Sequence, residues 1–277
     1  MPLMNPTRAG GFLLTDRTPT APGAGTTITA NATPHTKGAT PTQLIASTAA
    51  DSYAIQVHVH NNATSNATTS TLLDIMTGGS GSEVVLIPDL MAGWVLPVAT
   101  SNAWRTYTFP IFIPSGTRLS ARSQSVVASK TCSVAITLMQ RPTQLGYVGT
   151  RVTAYGVTSA SSYGTLHTAG ATSTYGATAG QLTASSTNPI RYMQIGVDPS
   201  NRTTTVDAYG WYRLQVGTNV LIDDLLIATD TGTESIAFEE ANRVLSGCLW
   251  NLPAGTDLRY AIASSAVSFS SIVYAVD

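Results

Sequence analysis

The chain has 277 residues, with 14 Lys+Arg against 15 Asp+Glu and a net charge of -1. Charged residues make up 10% and hydrophobic ones 43%, which excludes disorder, since disorder needs low hydrophobicity with high charge. Near-neutrality with just Lys37 and Lys130 as lysines argues against nucleic acid as a partner, and apolar runs of about five residues fall far short of the ~20 that span a membrane.

In chain order, residues 1–23 come first, with Pro2, Pro6, Pro19 and Pro22 among Gly10, Gly11 and Gly23. That composition predicts an extended N-terminal arm without a core of its own. It carries an apolar knot, Phe12-Leu13-Leu14, flanked by Arg8 and Arg17. Such a knot is costly to leave in water, at ~1.5–3 kcal/mol per large side chain. The start of the chain has no basic segment followed by an apolar one, so no secretory signal is expected and synthesis is assigned to the cytosol. Further on, Ile55, Val57 and Val59 alternate with Gln56, His58 and His60, the period of a half-buried strand. Gly78–Glu83 reads as a hairpin loop. Pro114-Ser-Gly116 supplies a sharp turn, proline fixing φ and glycine accepting positive φ. Val134, Ile136 and Leu138 give the next alternation. After a connector at 141–162, Met193, Ile195 and Val197 repeat the pattern, and Pro253-Ala-Gly255 repeats the turn. Between them, Ile236–Leu245 has the spacing of one short helix, with a strand at Ser235–Glu239 as the competing reading. Ile272, Tyr274 and Val276 alternate at the end of the chain.

These echoes are collinear. Gly38–Ser47 matches Gly176–Ser185, Val85–Leu90 matches Val220–Leu225, and Ile113–Leu119 matches Leu252–Leu258, each displaced by 135–139 residues. The chain therefore reads as a tandem duplication, with β-sandwich units at 24–140 and 163–277. Short strands with turn signals every ~8–12 residues predict an all-β fold: two tandem jelly-roll-like antiparallel β-sandwiches behind the arm.

The search for chemistry yields little. Neither lysine follows a phosphate-binding glycine loop, and Cys132 and Cys248 have no metal or redox spacing, so both are expected to be free buried thiols. His58 and His60 share one strand face, a start for a metal site, yet only His35 and His167 remain as further histidines. No metal, no cofactor and no catalytic residue is assigned. Asp223-Asp224 and Glu239-Glu240 are adjacent carboxylates, which a regular strand points to opposite faces. Asp89 is the counterpart of Asp224 and is expected to bond backbone N–H groups at a strand end. Trp94, Trp104, Trp211 and Trp250 with Tyr155, Tyr163 and Tyr175 offer a sugar platform. The competing reading puts Trp250 in the core and the Tyr–Gly pairs between the units or against a neighbour.

Phe109-Pro-Ile-Phe-Ile-Pro-Ser-Gly-Thr-Arg-Leu-Ser-Ala-Arg122, with Val84–Leu90 upstream, is similar to segments of tailed-bacteriophage virion structural proteins. The second unit departs from this pattern, with Asp257 for Arg118 and Ala261 for Arg122. The resemblance implies a non-enzymatic virion protein that decorates or cements the capsid, found in the virion after synthesis in the host cytoplasm. Its partners would be the major capsid protein or other virion proteins and further copies of itself, with no nucleic acid and no membrane. Arg8, Phe12, Leu13, Leu14 and Arg17 of the arm would make the partner contact. A head-fibre, spike-base or tail component, or a host-glycan-binding sandwich, is the alternative.

Overall fold

A computed structural model of the chain describes residues 14–18, 25–61, 70–92, 105–140, 147–157, 164–167, 174–176, 179–199, 208–229, 245–264 and 269–277. The described residues form eighteen strands and no helix. The first nine are β1 (Leu14–Thr18), β2 (Thr26–Thr29), β3 (Thr42–Ile45), β4 (Ala54–Asn61), β5 (Thr71–Thr77), β6 (Val84–Met91), β7 (Arg105–Phe109), β8 (Leu119–Ser125) and β9 (Thr131–Met139). The second nine are β10 (Val152–Tyr155), β11 (Thr165–His167), β12 (Gly180–Thr183), β13 (Ile190–Pro199), β14 (Ala208–Val216), β15 (Asn219–Thr229), β16 (Leu245–Leu252), β17 (Leu258–Ser264) and β18 (Phe269–Val276).

The two sets build the same object. One sheet of the first unit runs β1-β9-β4-β7, with β2 also on β9, and the other runs β3-β8-β5-β6. In the second unit the orders are β10-β18-β13-β16, with β11 on β18, and β12-β17-β14-β15. Every strand of one unit thus has its counterpart nine places along, and all strand pairings are antiparallel. Eight strands in these orders make a jelly roll, so the all-β tandem reading holds. The ninth strand sharpens the repeat: β1, from the stretch read as an arm, and β10, from the stretch read as a connector, take the same place beside the last strand of their units.

The alternating residues explain the layers. Ile55, Val57, Val59, Val134, Ile136 and Leu138 all point into the first core, and Met193, Ile195 and Val197 into the second. Leu119 and Leu258, at equal offsets after their Pro-x-Gly turns, are fully buried. Gly116 and Gly255 sit at φ +81° and +85°, a conformation that costs an L side chain ~1–2 kcal/mol. The 236–244 segment, read as helix or strand, lies outside the described residues, and β16 begins at Leu245.

One strand departs from the sequence reading. The alternation predicts a half-buried β18 with Ile272, Tyr274 and Val276 facing inward. All eight of its residues are buried, and these three belong to the first unit's core cluster. Phe269, Val273 and Ala275 face the second unit's own core instead. The cause is that the β10-β18-β13-β16 sheet is covered on both faces, by its sister sheet and by the first unit. Alternation identifies which residues share a face; it carries no information on what covers that face.

The junction is built from strand edges. β6 and β7 are the outermost strands of their sheets, so each presents unpaired backbone groups, a liability that must be covered. The Tyr274 hydroxyl accepts the Met91 N–H and donates to the Asp89 carbonyl of β6, both at 2.9 Å. Gln194 Oε1 accepts the Thr108 N–H of β7 at 3.1 Å, and the Tyr192 hydroxyl donates to the Thr108 carbonyl at 2.7 Å. Arg105 donates to the Val197 carbonyl at 3.2 Å. The Tyr274 ring meets Tyr107 edge-on at 5.3 Å. A parallel bridge between Ile111 and Gly149 adds a second tie, at a place where a Cβ on Gly149 would lie 2.3 Å from Val276.

Candidate functional site

The strongest concentration of charge among the described residues lies on the outer face of the β3-β8-β5-β6 sheet. It forms around a bulge. Leu73 pairs with Leu90 and Ile75 with Ile87, so Pro88 and Asp89 together stand opposite Asp74. Asp89 takes φ +55°, which Asp tolerates better than most residues. Its N–H donates to Asp74 Oδ1 at 3.0 Å. Lys37, carried in by the loop before β3, bonds both Asp74, at 2.5 Å, and Asp89. Arg122 of β8 closes the group on Asp74 Oδ2 at 3.0 Å. Asp74 is buried, and Lys37 keeps only a minor part of its side chain in solvent. Burial raises the Asp89 carboxyl above the usual carboxylate range, against the pull of Lys37. Two carboxylates matched by two cations form a neutral, closed knot that seals the bulge.

The second unit keeps the bulge and changes the chemistry. Tyr212 pairs with Leu225 and Leu214 with Ile222, leaving Asp223 and Asp224 opposite Arg213. Asp224 takes φ +52°. At the positions of Lys37, Asp74 and Arg122 stand Tyr175, Arg213 and Ala261. Arg213 grips Asp223 with two bonds of 2.7 and 2.9 Å, and its guanidinium lies 3.9 Å from the centre of the Tyr175 ring. The Tyr175 hydroxyl donates to Asp224 Oδ1 at 2.7 Å. The Arg213 bonds hold the Asp223 carboxyl below its ordinary range, and burial with the Asp224 bond pushes the Tyr175 hydroxyl up. The expectation that adjacent carboxylates point apart fails here. A bulge breaks the two-residue period, so both engage groups on one face.

Arg118 and Arg122 are satisfied within the chain. Arg118 bonds Glu83 at 2.8 Å and Gln43 at 3.2 Å. In the second unit Asp257 replaces Arg118, and the counterpart Gln181 turns its amide N–H toward it at 3.2 Å. An amide is both donor and acceptor, so one glutamine serves either charge.

The remaining sequence-predicted residues are dispersed. Arg8, Phe12 and Leu13 lie outside the described residues. Leu14 and Arg17 fall in β1, opposite Met139 and Thr137 of β9. His58 and His60 share the outer face of β4. His58 Nδ1 is 2.8 Å from the Thr106 hydroxyl, and burial lowers its pKa. No cluster of three or more His, Cys, Asp or Glu able to hold a metal occurs among the described residues. Cys132 is free and buried, its thiol pushed up to about 12 by burial. Tyr155 is in the second core and Trp250 packs against it. Tyr163, Trp94 and Trp104 lie outside the described residues, while Trp211 is exposed. Sequence reasoning missed Lys37, Asp74 and Arg213. Their signal was in the repeat, since Lys37 aligns with Tyr175 and Asp74 with Arg213 at the same displacement as the matched segments.

No family model matches the chain, and no curated protein matches it. Among solved structures, the chain is similar to "Structure of PNGF-II in P21 space group" at TM-score 0.36 and 7% identity, covering 91% of this chain and 66% of that one. It is also similar to "Recombinant peptide: N-glycanase F (PNGase F)" at TM-score 0.32 and 7% identity, covering 92% and 96%. The chain thus spans about two thirds of the length of the first of these.

Proposed function

We propose that this chain is a non-enzymatic structural protein of a tailed-phage virion that decorates or cements the capsid by docking on other virion proteins. The observation that supports this is the junction between the two units. There the molecule binds a protein edge through Tyr192, Gln194 and Tyr274, neutral groups that satisfy backbone N–H and C=O without an ion pair between side chains. The outer face of the first unit's β1-β9-β4-β7 sheet carries the same kind of group, with Gln56, Thr106, Thr108 and Thr137 at outward positions. A chain with 10% charged residues has little else with which to hold a partner. The first unit's charge knot is satisfied internally and stabilises its bulge. Leu14 and Arg17 belong to a strand paired with β9, so the proposed arm contact falls to Arg8, Phe12 and Leu13 just before it.

The decisive test separates docking from folding. Removing residues 1–13 leaves β1 in place, so the thermal midpoint of the purified protein is expected to stay unchanged while association with particles is lost. A truncated protein that decorates particles as the full chain does would overturn the arm contact. Electron microscopy of labelled particles is expected to place the protein on the capsid shell; a position at the tail tip would sink the decoration reading.

A further inference from the structure

The two bulge sites differ in one respect that the capsid reading does not use. In the first unit the outer face is sealed. Leu72, two residues before Asp74 on β5, is 1% exposed. Its counterpart on β14 is Trp211, two residues before Arg213, and it is 37% exposed. Trp211 and Arg213 point to the same side of the β12-β17-β14-β15 sheet. Their cross-strand neighbours on β17 are Ala263 and Ala261, so the face beside the indole is low. Asp223 keeps 43% of its side chain in solvent.

We infer that Trp211, Arg213, Asp223 and Tyr175 form a binding site for a neutral saccharide on the outer face of the second sandwich. A pyranose ring has an apolar C–H face and a rim of hydroxyls. The exposed indole, a rigid surface with a single N–H, matches the first. Asp223 matches the second: its Oδ1 is filled by Arg213 and the Asp224 N–H, but its Oδ2 carries one Arg213 bond and keeps a lone pair for a hydroxyl donor. The orientation is set in advance. Arg213 is held by a two-bond fork and stacked on Tyr175, whose hydroxyl is tied to Asp224, so little ordering remains at binding. The charge count chooses the ligand. One guanidinium faces two carboxylates, and its fork is already occupied, so an anionic sugar meets net negative charge. A protein partner fits less well. It would strip water from the Arg213–Asp223 pair, and removing a pair from water costs more than its attraction returns unless new bonds are made. Sugar hydroxyls replace those waters with like groups.

The test uses the full chain against immobilised neutral glucose-, galactose- and mannose-based oligosaccharides, with sialylated and sulfated ones as the anionic arm. Binding to a neutral oligosaccharide is expected. Trp211→Ala should weaken it roughly tenfold or more, and Trp211→Phe, which keeps a ring, by much less. Asp223→Asn should weaken it with only a small fall in the thermal midpoint, because the Arg213–Asp223 pair is partly in solvent. Absence of binding to every neutral oligosaccharide, binding confined to anionic ones, or equal binding by Trp211→Ala would each overturn the site. Trp211→Ala that releases the protein from particles while no oligosaccharide binds would assign the face to a protein partner and overturn it too. Removal of residues 1–13 is expected to leave saccharide binding intact, so loss of the capsid reading and loss of this one are distinguishable.

Discussion

Asp89 and Asp224 occupy equivalent positions at nearly equal φ, yet their partners carry different chemistry. The bulge needs a residue that tolerates the left-handed region at that point, and Asp supplies it in both units. What meets the carboxylate is free to vary: Lys37 pairs with Asp89 in one unit and the Tyr175 hydroxyl donates to Asp224 in the other, while Arg122 and Arg213 pair with the neighbouring Asp74 and Asp223. Changes at such contacting positions come in sets, because one altered partner leaves an unpaired group behind. Lys37→Met is therefore expected to cost about 3 kcal/mol in urea unfolding, since Asp74 and Asp89 then face each other with only Arg122 as counter-ion. Asp89 itself was legible from the repeat. Its partners were not, because a contact between Lys37 and Asp74, 37 residues apart, depends on where a loop crosses the sheet.

At the scale of elements, the free edges of β6 and β7 are capped by side chains rather than by another strand. Tyrosine suits this, since one hydroxyl both accepts from Met91 and donates to Asp89 while its ring fills the apolar junction. Tyr274→Phe keeps the ring and removes the hydroxyl, stranding a buried N–H. It is expected to lower unfolding stability by about 1–3 kcal/mol with little change in far-UV circular dichroism. In the first unit, the residues that pair as Tyr192, Gln194 and Tyr274 do are Ala54, Gln56 and Thr137. The glutamine persists and both tyrosines are gone. The first unit's equivalent face therefore keeps neutral hydrogen-bonding groups, Gln56 and Thr137, without the tyrosine rings that fill the junction.

At the scale of the molecule, the buried apolar residues of the first core continue without a break into Val152, Tyr192, Ile272, Tyr274 and Val276 of the second unit. The two sandwiches are expected to unfold in one calorimetric transition. Combining Gln194→Ala with Tyr274→Phe removes one cap from each edge, and is expected to split that transition into two. A single unshifted transition in the double variant would show that the apolar contact alone couples the units.

Local and repetitive features were determined by the sequence alone: the all-β class, the duplication, the strand period, the Pro-x-Gly turns and the pairing of Asp89 with Asp224. Each depends on residues near one another in the chain, or on a displacement that can be counted. Tertiary structure alone decided what the apolar faces meet. Ile272, Tyr274 and Val276 read as an ordinary inward stripe, and only the docking of the first unit turned it outward. The same holds for Trp211, whose counterpart Leu72 is sealed while it stays in solvent. Covering a face takes elements far apart in sequence, and no periodicity records which of them arrives.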